Sequence, residues 1–218
     1  MRRRNRVDPF GDLHAVSERG MFTGNRGCVV DDRGEVVRHH RGPLWISCLI
    51  EYRGWRSPLA APNRWTPLFF LDDAVALAAG HRPCGLCRRE AYLSYQQAVT
   101  EAEGSKCFIS ASDLNRRLAS ERLQRGSGID RGADRTLWSA AIESLPTGAV
   151  YLDHGTARLV TENQTFAFSF AGWVDPQQRP TAVHVDVLTP PTSVAALAAG
   201  YVPVLDPAVR SKAHNVHP

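Results

Sequence analysis

The segment Pro83-Cys84-Gly85-Leu86-Cys87, followed by a helix-favouring run from Arg88 to about Ala102, constrains this chain more than any other feature. A C-x2-C pair on a tight turn aims two sulfurs at one point, the geometry of a zinc knuckle. Gly85 leaves room for backbone amides beside the sulfurs. A helix start adds free N–H groups and partial positive charge, which favour the thiolate form that a metal requires. Thioredoxin-type redox motifs share this spacing. No βαβ pattern surrounds it here, however, and two upstream cysteines can complete a four-thiolate set. The expectation is one zinc ion held by Cys28, Cys48, Cys84 and Cys87, with His39, His40 or His81 able to replace a missing fourth ligand. Cys107 reads as a packed or surface thiol. Four thiolates on one divalent ion leave net negative charge for cations or amides to balance. Arg82, Arg88 and Arg89 flank the pair.

The rest of the composition fits an intracellular metal protein. The chain has 218 residues, 43% hydrophobic and 22% charged, with a formal charge of +4, which excludes disordered, collagen-like and membrane-spanning classes. No apolar run approaches the roughly 20 residues of a spanning helix, and the basic start is followed by Val7-Asp8-Pro9 rather than a signal-peptide core, so the expected location is cytoplasmic. Five cysteines are too few and too unevenly spaced for a secreted disulfide scaffold. Lys106 and Lys212 are the only lysines, so the other basic side chains are arginines, which pair with phosphate through a planar fork and stack on rings.

Secondary-structure signals give an α+β chain in three segments. Residues 1–103 read as a basic zinc module built from a β-hairpin and helices: an entry loop over 7–27, strands over Leu44–Tyr52 and Trp65–Leu71 separated by a loop that Pro58, Pro62 and Asn63 mark, a short helix over Asp73–Ala79, and the helix after Cys87. Asp72 is the expected N-cap of the short helix and Gly80 its C′ residue. Residues 104–145 read as a helical connector, with Ser110 capping a helix over Ala111–Gln124 and a flexible loop over 126–132. Residues 146–218 read as a small antiparallel β unit with strands at Ala149–Leu152, Arg158–Thr161, Phe166–Phe170 and Ala182–Leu188. One internal echo pairs Val75–Pro83 with Ala195–Pro203, each an alanine-rich helix, a glycine, an aromatic ring and a proline. It reads as a recurring helix-to-turn solution, because the second copy has no cysteines.

The stretch Phe69-Phe70-Leu71-Asp72-Asp73-Ala74 through Ala79-Gly80-His81-Arg82-Pro83-Cys84-Gly85-Leu86-Cys87-Arg88 resembles the second half of the zinc-binding domain of the bacterial Ada methyl-phosphotriester repair proteins. That resemblance, over about 20 residues, implies an Ada-like or treble-clef-like module with a four-cysteine zinc site next to DNA. The family draws its first two ligands from a closely spaced pair, where this chain offers the distant Cys28 and Cys48. Over most of its length the chain is also similar to a group of uncharacterised bacterial proteins. The carrying segments are Val7-Asp8-Pro9-Phe10-Gly11, Met21-Phe22-Thr23-Gly24-Asn25-Arg26-Gly27, Leu68 to Cys87, Leu145-Pro146-Thr147-Gly148 and Val187 to Pro203.

Between residues 33 and 64 six arginines face Glu35 and Glu51 and are interleaved with Trp45, Tyr52 and Trp55, with Trp65 following. Cations for phosphate beside rings that stack on bases form a nucleic-acid signature. Arg38, Arg41, Arg53, Arg56, Arg82 and Arg88 are the expected contacts, with DNA as partner and no membrane contact. No phosphate-binding glycine loop, H-E-x-x-H or G-x-S-x-G is present, so the reading leans toward a binding protein with no catalytic residue. Two rivals stay open: an Ada-like methyl acceptor, and a treble-clef nuclease using His14, Asp31, Asp32 and His40 for a second metal.

Overall fold

The computed structural model of this chain describes residues 3–59 and 64–209, so Pro62 and Asn63 of the expected loop lie outside the described residues. Two six-stranded sheets carry the α+β architecture. The first contains β1 (Arg6–Val7), β2 (Leu13–His14), β3 (Phe22–Asn25), β4 (Ile46–Cys48), β5 (Leu68–Phe70) and β6 (Arg82–Pro83), in the order β2-β1-β5-β3-β4-β6. It is mixed, with β1 parallel to β5 and β4 parallel to β6. The second contains β7 (Trp138–Ala141), β8 (Val150–Asp153), β9 (Thr156–Val160), β10 (Gln164–Ser169), β11 (Gly172–Gln178) and β12 (His184–Val187), in the order β11-β10-β9-β8-β12-β7. All of its pairings are antiparallel. The helices are α1 (Asp73–Ala78), α2 (Arg89–Ala102), α3 (Ala111–Arg122) and α4 (Pro191–Ala198).

The first sheet corrects the expected hairpin. β4 and β5 do not pair with each other, because β3, from the segment read as an entry loop, lies between them. Phe22-Thr-Gly-Asn25 is buried at all four positions, so its polar Thr23 and Asn25 do not mark a solvent face. Gly24 looks like a turn signal but answers a close approach: a Cβ there would lie 2.2 Å from the Ile46 carbonyl oxygen and 2.8 Å from the Phe70 ring. The second sheet also adds β7 and β11, one of which comes from the segment read as a connector.

The capping signals were read correctly. Asp72 Oδ1 accepts from Val75 N at 3.0 Å, and the Ser110 hydroxyl accepts from Asp113 N at 3.1 Å. The internal echo consists of two Schellman turns. His81 N donates to Ala76 O and Gly80 N to Leu77 O, while Tyr201 N donates to Ala196 O and Gly200 N to Leu197 O. The two glycines have φ of +83° and +99°, where a Cβ is strained. Repetition therefore reflects a helix-ending device, as the missing cysteines implied.

Two apolar clusters hold the sheets together. One joins Leu68, Phe70 and Val75 to Val150, Leu159, Phe166 and Trp173. The other joins Leu77, Tyr95 and Val99 to Leu114, Ile142, Tyr151 and Leu197. Residues from 1–103 and 146–218 thus share both clusters. Asp72 ties these layers with polar bonds as well: its buried Oδ2 accepts from Trp173 Nε1 at 2.7 Å and from Asp206 N at 3.0 Å. Burial raises its pKa to about 6 against these bonds.

Replacing Asp72 with alanine removes a helix cap and leaves two buried donors unpaired, so urea denaturation should register a loss of about 3 kcal/mol. Because the folded-state pKa is raised, the carboxyl's contribution to stability is complete below about pH 4 and declines as pH rises through about 6. Unfolding midpoints compared with those of Asp72→Asn over that interval should isolate the slope.

Candidate metal centre and adjoining groove

Cys48 ends β4, and Cys84 follows β6. The parallel register Ile46↔Arg82 and Ser47↔Pro83, closed by Cys84 N donating to Ser47 O at 2.9 Å, sets these two cysteines side by side. The turn before α2 then brings round Cys87. The three sulfurs lie within 4.8 Å of one another, a cluster that could hold a metal ion. Leu86 N donates to the Cys84 sulfur and Leu49 N to the Cys87 sulfur, each at 3.4 Å. Such amide donors stabilise thiolate charge. The Cys48 and Cys87 thiols and nearby amides push Cys84 down to about 2, whereas hydrogen bonds to Cys84 and Cys87, together with burial, push Cys48 up.

Cys28 does not join it. Its thiol donates to Val30 O at 3.4 Å and packs half-buried against the apolar cluster. This corrects the expected four-cysteine set: β3 leads the chain away from β4 just before Cys28, and no local constraint returns it. Among the described residues, no histidine belongs to the cluster either. His39, His40 and His81 instead pack their rings near Trp45, at centroid distances of 5.1–5.4 Å. Cys107 is exposed, as expected.

A salt bridge behind the cluster sets its shape. Arg88 donates to both oxygens of Asp73, at 2.6 and 2.7 Å, and to the Ser47 hydroxyl at 2.8 Å, all buried. Ser47 and Arg88 adjoin Cys48 and Cys87, so one guanidinium locks the strand end to the helix start. Arg88 is consequently a positioning residue and is withdrawn as a nucleic-acid contact. Arg82 is withdrawn too, being buried and bonded to Asn115 Oδ1 at 2.9 Å and Pro83 O at 3.0 Å.

In front of the cluster lies a groove of about 610 Å³, whose lining includes all three cysteines. Tyr52, Trp55, Trp65 and Phe69 supply aromatic walls, and Arg6, Arg19 and Arg56 supply cations. Tyr52 and Trp55 exchange two backbone hydrogen bonds across Arg53 and Gly54, both at positive φ, making a tight type I′ turn. Arg53 sits at its tip, its guanidinium 5.2 Å from the Tyr52 ring centre. Arg56 is exposed and ion-paired with Glu51 at 2.7 Å. Arg38 and Arg41 are exposed but outside the groove lining, and Arg38 donates to Cys28 O at 3.0 Å. Trp45, expected among the stacking rings, is buried at 1% exposure, with Arg26 and Arg122 guanidiniums 4.5 and 3.9 Å from its ring centre.

Arg6 and Arg19 were absent from the expected contacts. Arg6 enters the groove because β1 pairs with β5, which sets its guanidinium 4.4 Å from the Phe69 ring centre. Nothing local in the sequence announces that pairing. The second metal set considered for a nuclease does not assemble among the described residues. His14 bonds to Asp8, while Asp31 accepts from Arg33 N and Glu35 N in a turn.

No protein-family model, curated protein or solved structure matches the chain.

Metal content of purified variants should separate the cysteines: Cys28→Ser should retain the wild-type stoichiometry, whereas Cys84→Ser combined with Cys87→Ser should lose it. Arg88→Lys keeps the charge but not the bidentate fork. Elemental analysis and chemical denaturation should show it weakening both metal retention and stability, because truncating or distorting a buried ion pair costs about 3–5 kcal/mol.

Proposed function

We propose that this chain is a zinc-thiolate protein that binds DNA through the groove in front of Cys48, Cys84 and Cys87. The observation that carries this reading is the convergence of three thiols, aromatic walls and arginines on one cavity. Zinc favours sulfur ligands in a tetrahedron with bonds of about 2.3 Å, which spaces sulfurs about 3.8 Å apart. The cluster spacing of at most 4.8 Å is compatible with that requirement. Three protein ligands would leave room for a fourth, and all three cysteines line the groove. An Ada-like module remains part of the proposal, because β5, α1, the Schellman turn, the C-x2-C and α2 follow one another in the order the resemblance implies.

A second reading, an alkyl acceptor, draws support from the same opening. In that chemistry a zinc-held thiolate attacks a methyl carbon of a phosphotriester. The S–C bond forms as the C–O bond breaks, leaving the phosphodiester anion and a thioether. Cys87 is the more accessible of the adjacent pair, being half-buried where Cys84 is buried.

Purified protein should contain one zinc per chain and bind duplex or single-stranded DNA with affinity that falls steeply with salt. Arg19→Gln and Arg56→Gln should each reduce the slope of log affinity against log salt by about 0.7–0.9 if each meets one phosphate. Absence of zinc, or of salt-dependent binding, overturns the reading. A methyl group gained in intact mass after incubation with methylated DNA would identify the acceptor chemistry, and unchanged mass would leave binding alone.

A further inference from the structure

We infer that the groove takes an unpaired base of single-stranded DNA, stacked on Trp55 with its phosphate at the arginine rim. This rests on the DNA-binding reading and adds the strand state and the seat of the base. A volume of about 610 Å³ falls within the range of small-ligand pockets, about 300–1,000 Å³, and suits a nucleotide rather than a duplex.

The walls match the chemistry of a base. Trp55 is 52% exposed although it is anchored by the turn with Tyr52, and its ring lies 6.3 Å from that of Trp65, inclined by 56°. An aromatic ring held open to solvent on a rigid two-residue turn is a stacking platform: stacking needs a free face and little ordering cost. The rings are too tilted to stack on one another. Exposed Leu86 and Leu49 extend the apolar surface to the cysteines, where a base edge arrives beside the metal position.

Charge complements this surface on one side. Arg6 is held against Phe69 and donates to Glu18 O at 2.6 Å and Asn5 Oδ1 at 2.8 Å, while exposed Arg19 lines the same groove. Guanidiniums at one rim can meet an anion of phosphate type. The choice of deoxyribose over ribose follows the DNA-binding reading, and RNA is the competing occupant.

Fluorescence anisotropy with the full chain, using one oligonucleotide as DNA single strand, as DNA duplex and as RNA single strand, tests this directly. The single DNA strand should bind at least tenfold tighter than the duplex and tighter than RNA, with quenching of tryptophan emission. Trp55→Ala should erase about tenfold of that affinity, and Trp55→Phe should restore most of it, since one base stack is worth a factor of about 5 to 150. Equal binding of single strand and duplex, or indifference to Trp55→Ala, overturns the inference while leaving DNA binding intact. RNA bound as tightly as DNA overturns the choice of strand chemistry. No binding of any strand at low salt overturns the DNA-binding reading itself.

Discussion

Two adjacent buried carboxylates, Asp72 and Asp73, organise the molecule around the start of α1. Asp72 caps the helix and reaches Trp173 in the second sheet and Asp206 beyond α4. Asp73 holds Arg88 and also accepts from Val204 N at 3.0 Å. Like charges side by side in an apolar interior are destabilising unless each is fully hydrogen-bonded, and here each is. The same pair therefore joins the sheets and, through Arg88 and Ser47, fixes the spacing of the cysteines. Stability and metal-site geometry are coupled by this arrangement.

The arginines divide into two populations. Arg26, Arg82, Arg88, Arg122, Arg131, Arg135 and Arg158 are buried, with guanidiniums bonded to backbone carbonyls, carboxylates or neutral side chains. Planar forks of several donors can satisfy scattered carbonyls in a way that a lysine ammonium cannot, which gives the arginine-rich composition a structural role. Arg26 and Arg122 bracket Trp45 in this way, and burial lowers their pKa values to about 9 and about 8. Arg19, Arg53 and Arg56 belong to the exposed population near the groove, and they provide the charge that a phosphate backbone would meet.

Much of the local structure was legible because it is dictated within a few residues. Caps at Asp72 and Ser110, the glycine-ended helices and the two sulfurs of Cys84 and Cys87 each depend on short-range geometry. Cys48 was legible as a ligand candidate only by residue type. Its partnership with Cys84 requires a parallel pairing between β4 and β6, separated by more than thirty residues. Cys28 and Cys48 were both eligible in sequence, and strand order separates them. β3 was illegible because it is only four residues long, its polar Thr23 and Asn25 are buried with Phe22, and its glycine imitates a turn.

What the sequence by itself determined is therefore the C-x2-C turn, the helices that flank it, their ends, and the presence of arginines and aromatic rings in quantity. Tertiary structure alone decided which cysteine completes the cluster, that Arg82, Arg88 and Trp45 are buried, and that Arg6 and Arg19 stand beside Trp55 at the groove. The physical reason is range. Turns and caps are satisfied by atoms adjacent in the chain, while burial and convergence are set by sheet order, which depends on how distant segments share one interior.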